Sequence, residues 1–314
     1  MELNLKTVVR ALSLLSLAFI PVSGRVRTLY RALADVNSLC AEKLYQNLGY
    51  WKDGPDSLDM AAEAMADLLA RAASLSGVDE ALDVGFGFAD QDIFWAEKYR
   101  PRIIRGVNIS PEQVRQARAR ILERGLIDRV LLEEGDAAQL SFSDSSFDVV
   151  IAMEAAFHFS SREDFFLEAW RVLKPGGRLV MTDLAATSKP LGLRDRLAEV
   201  VGRSFWQIPK ENLYHAAIYQ EKLEDCGFVA VDVRSIWRDV YPPFVEFART
   251  RLKDRELVER MNPLFRRMLM GSLKARQRLS PEAMDYLLVS ALKPTQSGQT
   301  NTEVDDEQIT LATS

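Results

Sequence analysis

The chain has 314 residues, a length that favours one core with substantial additions over two complete domains. Hydrophobic residues make up 47% and charged residues 27%, as in ordinary globular proteins, and a net charge of −5 gives no general case for nucleic-acid binding. The two cysteines, Cys40 and Cys226, lie far apart, which excludes a disulfide scaffold and matches no metal-site spacing.

The first thirty residues carry an apolar run set between basic residues. The run from Ala11 to Val22 is too short to cross a bilayer as a straight helix. Three interpretations stay open: a helix packed on the protein, an amphipathic helix lying in a membrane interface, and a secretory signal. We take residues 1–50 as an N-terminal helical segment, a lid or membrane-interface helix, of a protein that is cytoplasmic and in peripheral contact with a membrane if that helix binds lipid.

Strands alternate with helices through the middle of the chain. This alternation predicts an α/β fold with a doubly wound, seven-stranded, mostly parallel sheet. The apolar run in "SFDVVIAMEA" is typical of a strand covered on both faces. The predicted strands are 80–86, 102–110, 129–137, 146–155, 178–185, 228–237 and 284–294, with helices over 57–73, 91–99, 111–125 and 162–177.

Two helical insertions interrupt the alternation, at about 187–222 and about 241–281. Both follow strand ends on the ligand-binding side of such a sheet, so we expect them to form a lid. The second is basic, with ten Lys and Arg against four Asp and Glu between Tyr241 and Pro281. Beyond the main domain, 51–294, residues 295–314 contain four acidic residues and no basic one, and predict a disordered acidic tail.

A glycine-rich turn follows the first strand in "LDVGFGFAD". A dinucleotide site would have a third glycine three residues after Gly87, where Asp90 stands instead, and no GK[ST] sequence supports a phosphate loop. What remains is Asp83 at the strand end, followed by Gly85 and Gly87. A carboxylate there would repel a phosphate but could pair with the amino group of a cationic ligand.

Several stretches, each at its expected place, resemble the class I S-adenosylmethionine-dependent methyltransferases of the small-molecule branch, which act on natural products or sterol-like lipids. The resemblance covers roughly Tyr45 to Pro294 and rests on "LDVGFGFAD", "EGDAAQLSFSDSSFDVVIAMEAAFHF", "EAWRVLKPGGRLVMTDL" and the aromatic "LYQNLGYW". It implies a Rossmann-like methyltransferase fold, methyl transfer as the activity and S-adenosyl-L-methionine as the cofactor. The cofactor-binding residues that it implies, or that could lie beside the sulfonium, are Tyr45, Tyr50, Asp83, Gly85, Gly87, Asn108, Ile109, Asp136, Ala137 and Glu154.

Two positions depart from the family pattern. Ala89 replaces the third glycine of the first motif, and Asn108 replaces the acid expected to bind the ribose. An amide can still bond both ribose hydroxyls, although without the assistance of a charge. Tyr50 and Trp51 could stabilise a sulfonium through their ring faces, with core packing as the alternative role.

A general base could come from either histidine of the chain. His158 follows the fourth strand at the ligand-facing end of the sheet, and His215 lies in the first insertion. Imidazole titrates near neutral pH and suits the removal of a proton from a hydroxyl or an ammonium, although histidines are more often structural. Glu154 stands four residues before His158 and could bind a cationic intermediate if the acceptor were an olefinic carbon.

The acceptor is expected to be small and lipophilic, such as a secondary metabolite or an isoprenoid or sterol-like molecule. The first insertion is rich in aromatic residues, and the second sets apolar positions against a basic face. The atom methylated, O, N or C, stays open, as does a homo-oligomer. The aromatic positions of the first insertion are Phe205, Trp206, Tyr214 and Tyr219.

Three other functions compete with this interpretation. A methyltransferase-like fold that has lost turnover could serve as a binding or regulatory protein, and Ala89 and Asn108 are its only support. An NAD(P)-dependent reductase is disfavoured by the missing third glycine. An RNA or protein methyltransferase is disfavoured because "EAAF" stands where an N/D-P-P-Y/F motif would follow the fourth strand.

Overall fold

The structure, a computed structural model, describes residues 39–187, 208–261 and 284–295, together with the isolated positions 192, 266, 270 and 271. Several predictions fall outside these residues: the N-terminal helix up to residue 38, Phe205 and Trp206, most of the second insertion after residue 261, and the acidic tail after residue 295.

The described residues form one seven-stranded sheet, as predicted. The strand order is β3-β2-β1-β4-β5-β7-β6, in which β7 runs antiparallel to both of its neighbours and the other pairs are parallel. The strands are β1 (Glu80–Val84), β2 (Ile103–Asn108), β3 (Val130–Glu134), β4 (Phe147–Met153), β5 (Leu173–Ala186), β6 (Val229–Ser235) and β7 (Met284–Leu292).

Side chains of the central strands point alternately to the two faces of the sheet and contribute to an apolar core on each face. In β4, Val149 and Ile151 pack into one apolar cluster, whereas Val150 and Ala152 pack into the other. Successive side chains of a strand point to opposite faces, so a continuous apolar run fits a strand with helices on both sides. The core therefore explains why β4 has no polar face.

Helices cover both faces, and three of them begin at a serine that caps the first turn. Ser57, Ser110 and Ser161 each accept a hydrogen bond from a backbone N–H three residues on. The helices are α1 (Leu58–Ala72), α2 (Asp90–Lys98), α3 (Pro111–Glu123), α4 (Arg162–Val172), α5 (Ala216–Asp225), α6 (Trp237–Arg251) and α7 (Arg255–Arg260), with 3-10 turns at Ala156–His158 and Lys210–Asn212.

Several predicted boundaries are wrong: β2 and β3 end two and three residues earlier than predicted, β5 begins at Leu173 instead of residue 178, and two further cases are the end of α4 and the end of β6. Helix α4 was expected to reach the glycine pair at 176–177 but ends at Val172, and Leu173 is already extended. Pro175 explains the early stop, because the residue before a proline is disfavoured in the helical region. Strand β6 was expected to run to residue 237 but ends at Ser235, and α6 begins at Trp237.

The strand order reverses between β1 and β4. In open α/β sheets the crevice beyond the carboxyl ends of the strands at such a point is where ligands bind. The loops after β1, β2 and β4 all emerge at this edge. None of the helices in the described parts of the chain combines the length and the apolar character that a membrane span needs.

Candidate active site

A cleft opens at this switch point and holds about 910 Å³ of empty space, the solvent at its mouth included. Residues from the loops after β1, β2 and β4 line it, together with a segment before α1. We call residues 39–51 the strap. Of the residues expected to form the site, the lining includes Tyr45, Gly85, Gly87, Asn108, Ile109, Asp136, Ala137, Glu154 and His158.

Four residues considered for the site do not line the cleft. Tyr50 is buried in the apolar core, and Trp51 packs against Phe247 with 5.1 Å between ring centroids, so core packing describes both. Asp83 precedes the cleft-lining Val84 and is only 1% exposed. His215 occupies the position before α5 and is partly exposed.

The glycine turn leaves little room for a side chain at Gly85 or Gly87. Gly85 has φ of +89°, and a Cβ added there would lie 2.4 Å from the Cβ of Ala155. Gly87 has φ of +56°, and its Cβ would lie 3.2 Å from Gln46 Oε1. Ala89, at φ of +63°, occupies the same left-handed region without the freedom of a glycine. The turn thus leaves its backbone open to a ligand, as S-adenosylmethionine requires.

Beneath the turn lies a pair of buried carboxyl groups. Asp83 Oδ2 accepts a hydrogen bond from Gln91 Nε2 at 3.0 Å, and the carboxyl of Asp92 approaches the same group. Burial raises the pKa of Asp83, and burial together with the charge of Asp83 raises the pKa of Asp92 further. One proton shared between the two carboxyls leaves a single negative charge in the pair, which a cationic amino group could neutralise.

Three amide side chains form a hydrogen-bonded chain at the end of β2, which no sequence motif indicated. Asn108 Nδ2 donates to Gln113 Oε1 at 3.0 Å and to the Gly87 carbonyl at 3.4 Å, and Gln113 Nε2 donates to Gln46 Oε1 at 2.8 Å. Because both N–H groups of Asn108 are engaged by the protein, its carbonyl oxygen is the atom that it can offer to a ribose hydroxyl. All three amides line the cleft.

Asp136 and Ala137 lie on the same side of the cleft, after β3. Asp136 Oδ1 accepts from the N–H of Ala138 at 2.9 Å, and an isolated bridge joins Asp136 to Gln139. The side chain of Asp136 is thus fixed in a tight turn beside Ala137.

Glu154 holds the strap against the sheet. Its Oε1 accepts hydrogen bonds from the N–H of Leu48 at 2.7 Å and from the hydroxyl of Tyr286 on β7. Burial raises the pKa of Glu154 to about 7. The backbone of Glu154 has φ of +51°, which turns the chain sharply into the loop after β4. Tyr286 lies about 130 residues away in the sequence, and no motif indicated this contact.

His158 completes the loop after β4. It lies on the 3-10 turn Ala156–His158, donates its backbone N–H to the Ala155 carbonyl and is 7% exposed. Its ring packs on that of Phe157 with 4.1 Å between centroids. His158 and the glycine turn therefore line one cleft.

Comparison with known proteins gives one family and a consistent set of relatives. A family model described as a methyltransferase domain matches residues 82–181. The chain is 37% identical over 282 residues to an erythromycin 3''-O-methyltransferase of Saccharopolyspora erythraea, covering 87% of this chain and 91% of that protein. It is 34% identical to a 27-O-demethylrifamycin SV methyltransferase of Amycolatopsis mediterranei, over 65% of this chain and 75% of that one.

Solved structures agree on the fold. The [4+2]-cyclase SpnF superposes with a TM-score of 0.71 at 27% identity, covering 88% of this chain and 98% of that one. The cyclopropane synthase MmaA2 of Mycobacterium tuberculosis gives a TM-score of 0.74 at 18% identity, covering 87% and 99%.

Proposed function

The chain belongs to the class I S-adenosylmethionine-dependent methyltransferases that act on small molecules, and from this premise we propose that it methylates a hydroxyl oxygen of a lipophilic polyketide-type acceptor. The choice of oxygen is supported by the names of the two bacterial relatives: one is a 3''-O-methyltransferase of erythromycin, and the other is a methyltransferase of 27-O-demethylrifamycin SV. The sequence alone left O, N and C open.

The cofactor residues that we propose are those of the glycine turn and of the cleft around it. Gly85 and Gly87 leave room for the methionine part, Asp83 supplies a charge for its amino group, Asn108 an acceptor for the ribose, and Asp136 a polar edge for the adenine. When bound, S-adenosylmethionine supplies a methyl group on a sulfonium: the acceptor oxygen–carbon bond forms as the carbon–sulfur bond breaks, and its electron pair stays on sulfur.

His158 is proposed as the base that takes the hydroxyl proton. The observation that carries this is its position: it lines the same cleft as Gly85 and Gly87, near the strap residue Tyr45. The methyl donor is already activated, so the protein has to orient the acceptor, exclude water and accept one proton. Glu154 lines the same cleft with Oε1 engaged by Leu48 and Tyr286, and stays a candidate for contact with the acceptor through its other carboxyl oxygen. His215 remains a candidate for acceptor contact from the segment after β5.

The experiment is an acceptor assay with methyl-deuterated S-adenosylmethionine and a macrolide glycoside whose 3''-hydroxyl is free. Mass spectrometry should find one labelled methyl on an oxygen, and the same compound already methylated at that oxygen should stay unlabelled. The variant His158→Ala should keep cofactor affinity and lose about 10²-fold or more in turnover. Methyl transfer to carbon or nitrogen would overturn the oxygen assignment, and cofactor binding without transfer to any acceptor would favour the degenerate-fold alternative.

We further propose that the chain works in the cytoplasm at the periphery of a membrane, through the apolar run Ala11–Val22 and its basic flanks. Co-sedimentation of the full chain with anionic vesicles tests this, with a chain lacking residues 1–30 as the control. Equal binding of the two chains, or none by either, would reject the membrane contact. Size-exclusion chromatography of the same samples determines whether the chain forms a homo-oligomer.

A further inference from the structure

The turn that carries His158 is held by side chains from outside it. The N–H of Phe157 donates to Asp183 Oδ1 at 3.0 Å, and Asn212 Nδ2 donates to the carbonyls of Phe159 and Phe157 at 2.8 and 3.4 Å. Asp183 lies near the end of β5, and Asn212 lies in the segment that follows it. Distant polar groups therefore hold the backbone just before His158 and one peptide beyond it.

Asn212 is itself locked in place by Arg162. Asn212 Oδ1 accepts from the N–H of Arg162 at 3.0 Å, and the Asn212 carbonyl accepts from Arg162 Nη1 at 2.7 Å. Arg162 Nε lies 2.9 Å from Asp183 Oδ2. The side chains of Arg162 and Asp183 are fully buried, and Asn212 is 2% exposed. The three residues form one closed network around the turn.

The contacts of Asn212 separate its role from that of its neighbours. Arg162 and Asp183 also bond the Leu184 backbone, and Asp183 accepts the hydroxyl of Tyr219, so both hold several elements together. The side-chain N–H groups of Asn212 donate to the His158 turn, and its side-chain oxygen is taken by Arg162. Its amide is thus committed to the turn and does not line the cleft.

We propose that Asn212 is a positioning residue for His158, and that residues 208–212 must pack on the turn for His158 to be correctly placed. The inference rests on the proposed function, in which His158 takes the acceptor proton. The bond from Asn212 to the Phe157 carbonyl fixes the peptide that leads into His158, and the bond to the Phe159 carbonyl fixes the chain one peptide beyond it. A displacement of about 1 Å at a reacting group can cost about 10²-fold in rate. The placement of the base therefore depends on Asn212.

The test compares Asn212→Ala with Leu223→Ala, a buried apolar residue of α5 that makes no contact with the turn's carbonyls in the described network. We expect Asn212→Ala to lower kcat about 10-fold to 100-fold with the affinity for S-adenosylmethionine unchanged. Leu223→Ala should lose stability but keep kcat at a temperature where both variants are folded. Equal kcat in the two variants would overturn the proposal.

A second readout needs no acceptor. The chain has two histidines, so the imidazole signals of His158 and His215 can be assigned by NMR with His158→Ala. Asn212→Ala should shift the titration midpoint of His158 by about half a pH unit or more, because the ring's surroundings change, and Leu223→Ala should not. An unchanged midpoint together with an unchanged kcat would reject the coupling.

The same data separate this proposal from the assignment of the base. If His158→Ala keeps full turnover while Asn212→Ala shifts the His158 titration, the base assignment fails and the coupling of segment to turn survives. Should Asn212→Ala not fold, Asn212→Asp retains the acceptor for the Arg162 N–H and removes the donor. Its kcat is then compared with that of Leu223→Ala, and equality again overturns the proposal.

Discussion

Glu154 places an ionisable group that titrates near neutral pH between the strap and the sheet. Its carboxyl is buried, accepts from Leu48 and Tyr286, and has a pKa of about 7 against an ordinary value of 4.5. Burial is the main cause, since it disfavours the charged form. The folded chain thus binds the proton more tightly than the unfolded chain does, so this group lowers the stability of the fold as the pH rises from about 4.5 to about 7.

Glu154→Gln should remove this part of the pH dependence. The glutamine oxygen can accept both existing hydrogen bonds, and the amide does not titrate. Urea denaturation of the wild type should show a free energy of unfolding that falls as pH rises through this window, by on the order of 3 kcal/mol from Glu154 alone. The variant should have a correspondingly shallower slope, whereas Glu221→Gln, at an exposed position of α5, should keep the wild-type slope. Identical slopes in all three proteins would contradict the assignment.

Asp83 and Asp92 form a second pair whose members we expect to behave differently. We expect Asp92 to carry the shared proton, because the charge of Asp83 raises the pKa of Asp92. Asparagine at position 92 should then imitate the protonated group, whereas asparagine at position 83 should remove the charge meant for a cationic amino group. Calorimetric titration with S-adenosylmethionine should show about a tenfold or greater loss of affinity for Asp83→Asn, equivalent to roughly 1.4 kcal/mol. Asp92→Asn should bind within about threefold of the wild type. The reverse ranking would assign the charge to Asp92.

At the scale of elements, the strap is an irregular segment held down by carboxylates. Asp59, in the first turn of α1, accepts from the backbone N–H groups of Ala41, Glu42 and Lys43 at 2.7 to 3.2 Å, and Asp90 accepts from that of Leu44. A strap without strand partners depends on such side chains to satisfy its backbone. Since strap residues line the cleft, the hydrogen bonds that Asp59 accepts from the strap should raise the affinity for a ligand in the cleft.

Asp59→Ala should loosen the strap without unfolding the sheet. Hydrogen exchange should speed up at residues 41–43, whose three hydrogen bonds of about 1 kcal/mol each are lost. The affinity for S-adenosylmethionine should fall by about 3-fold to 10-fold, because only part of this loss is passed on to the cleft. Asp56→Ala, at an exposed position just before the N-cap of α1, is the matched control and should change neither quantity. Fast exchange with unaltered affinity would show that the strap does not close over the cofactor.

The elements that sequence predicted correctly are those specified by local pattern. Apolar runs marked β1 and β4, and the paired glycines marked the turn at Gly85 and Gly87. The omissions came from tertiary contacts. The contact of Glu154 with Tyr286 and the donation from Asn212 to Phe159 join residues more than fifty positions apart, and no spacing rule relates them. Tyr50 was ambiguous for the same reason, because an aromatic residue suits either a core or a sulfonium.

At the scale of the whole molecule, one buried ion pair joins parts that are remote in sequence. Arg162 begins α4, Asp183 lies on β5, and their shared contacts reach the turn after β4 and the segment before α5. Burial raises the pKa of Asp183 and the charge of Arg162 opposes that rise. Removing one partner of such a pair leaves a buried charge uncompensated, which costs about 3–5 kcal/mol, whereas removing both charges can be nearly neutral.

Arg162→Met should therefore destabilise the fold by about 3–5 kcal/mol at neutral pH. Without the guanidinium, the folded-state pKa of Asp183 lies further above its ordinary value of 3.8, so the loss should shrink as the pH falls and the buried carboxyl takes up a proton. The double variant Arg162→Met/Asp183→Asn should recover stability at pH 7, because the amide oxygen can still accept from the N–H groups of Phe157 and Leu184. Chemical denaturation of the single and double variants gives the coupling free energy between the side chains of Arg162 and Asp183. If the double variant is no more stable than Arg162→Met, the cost lies in lost packing and backbone hydrogen bonds of Arg162, and the charge of Asp183 does not hold these elements together.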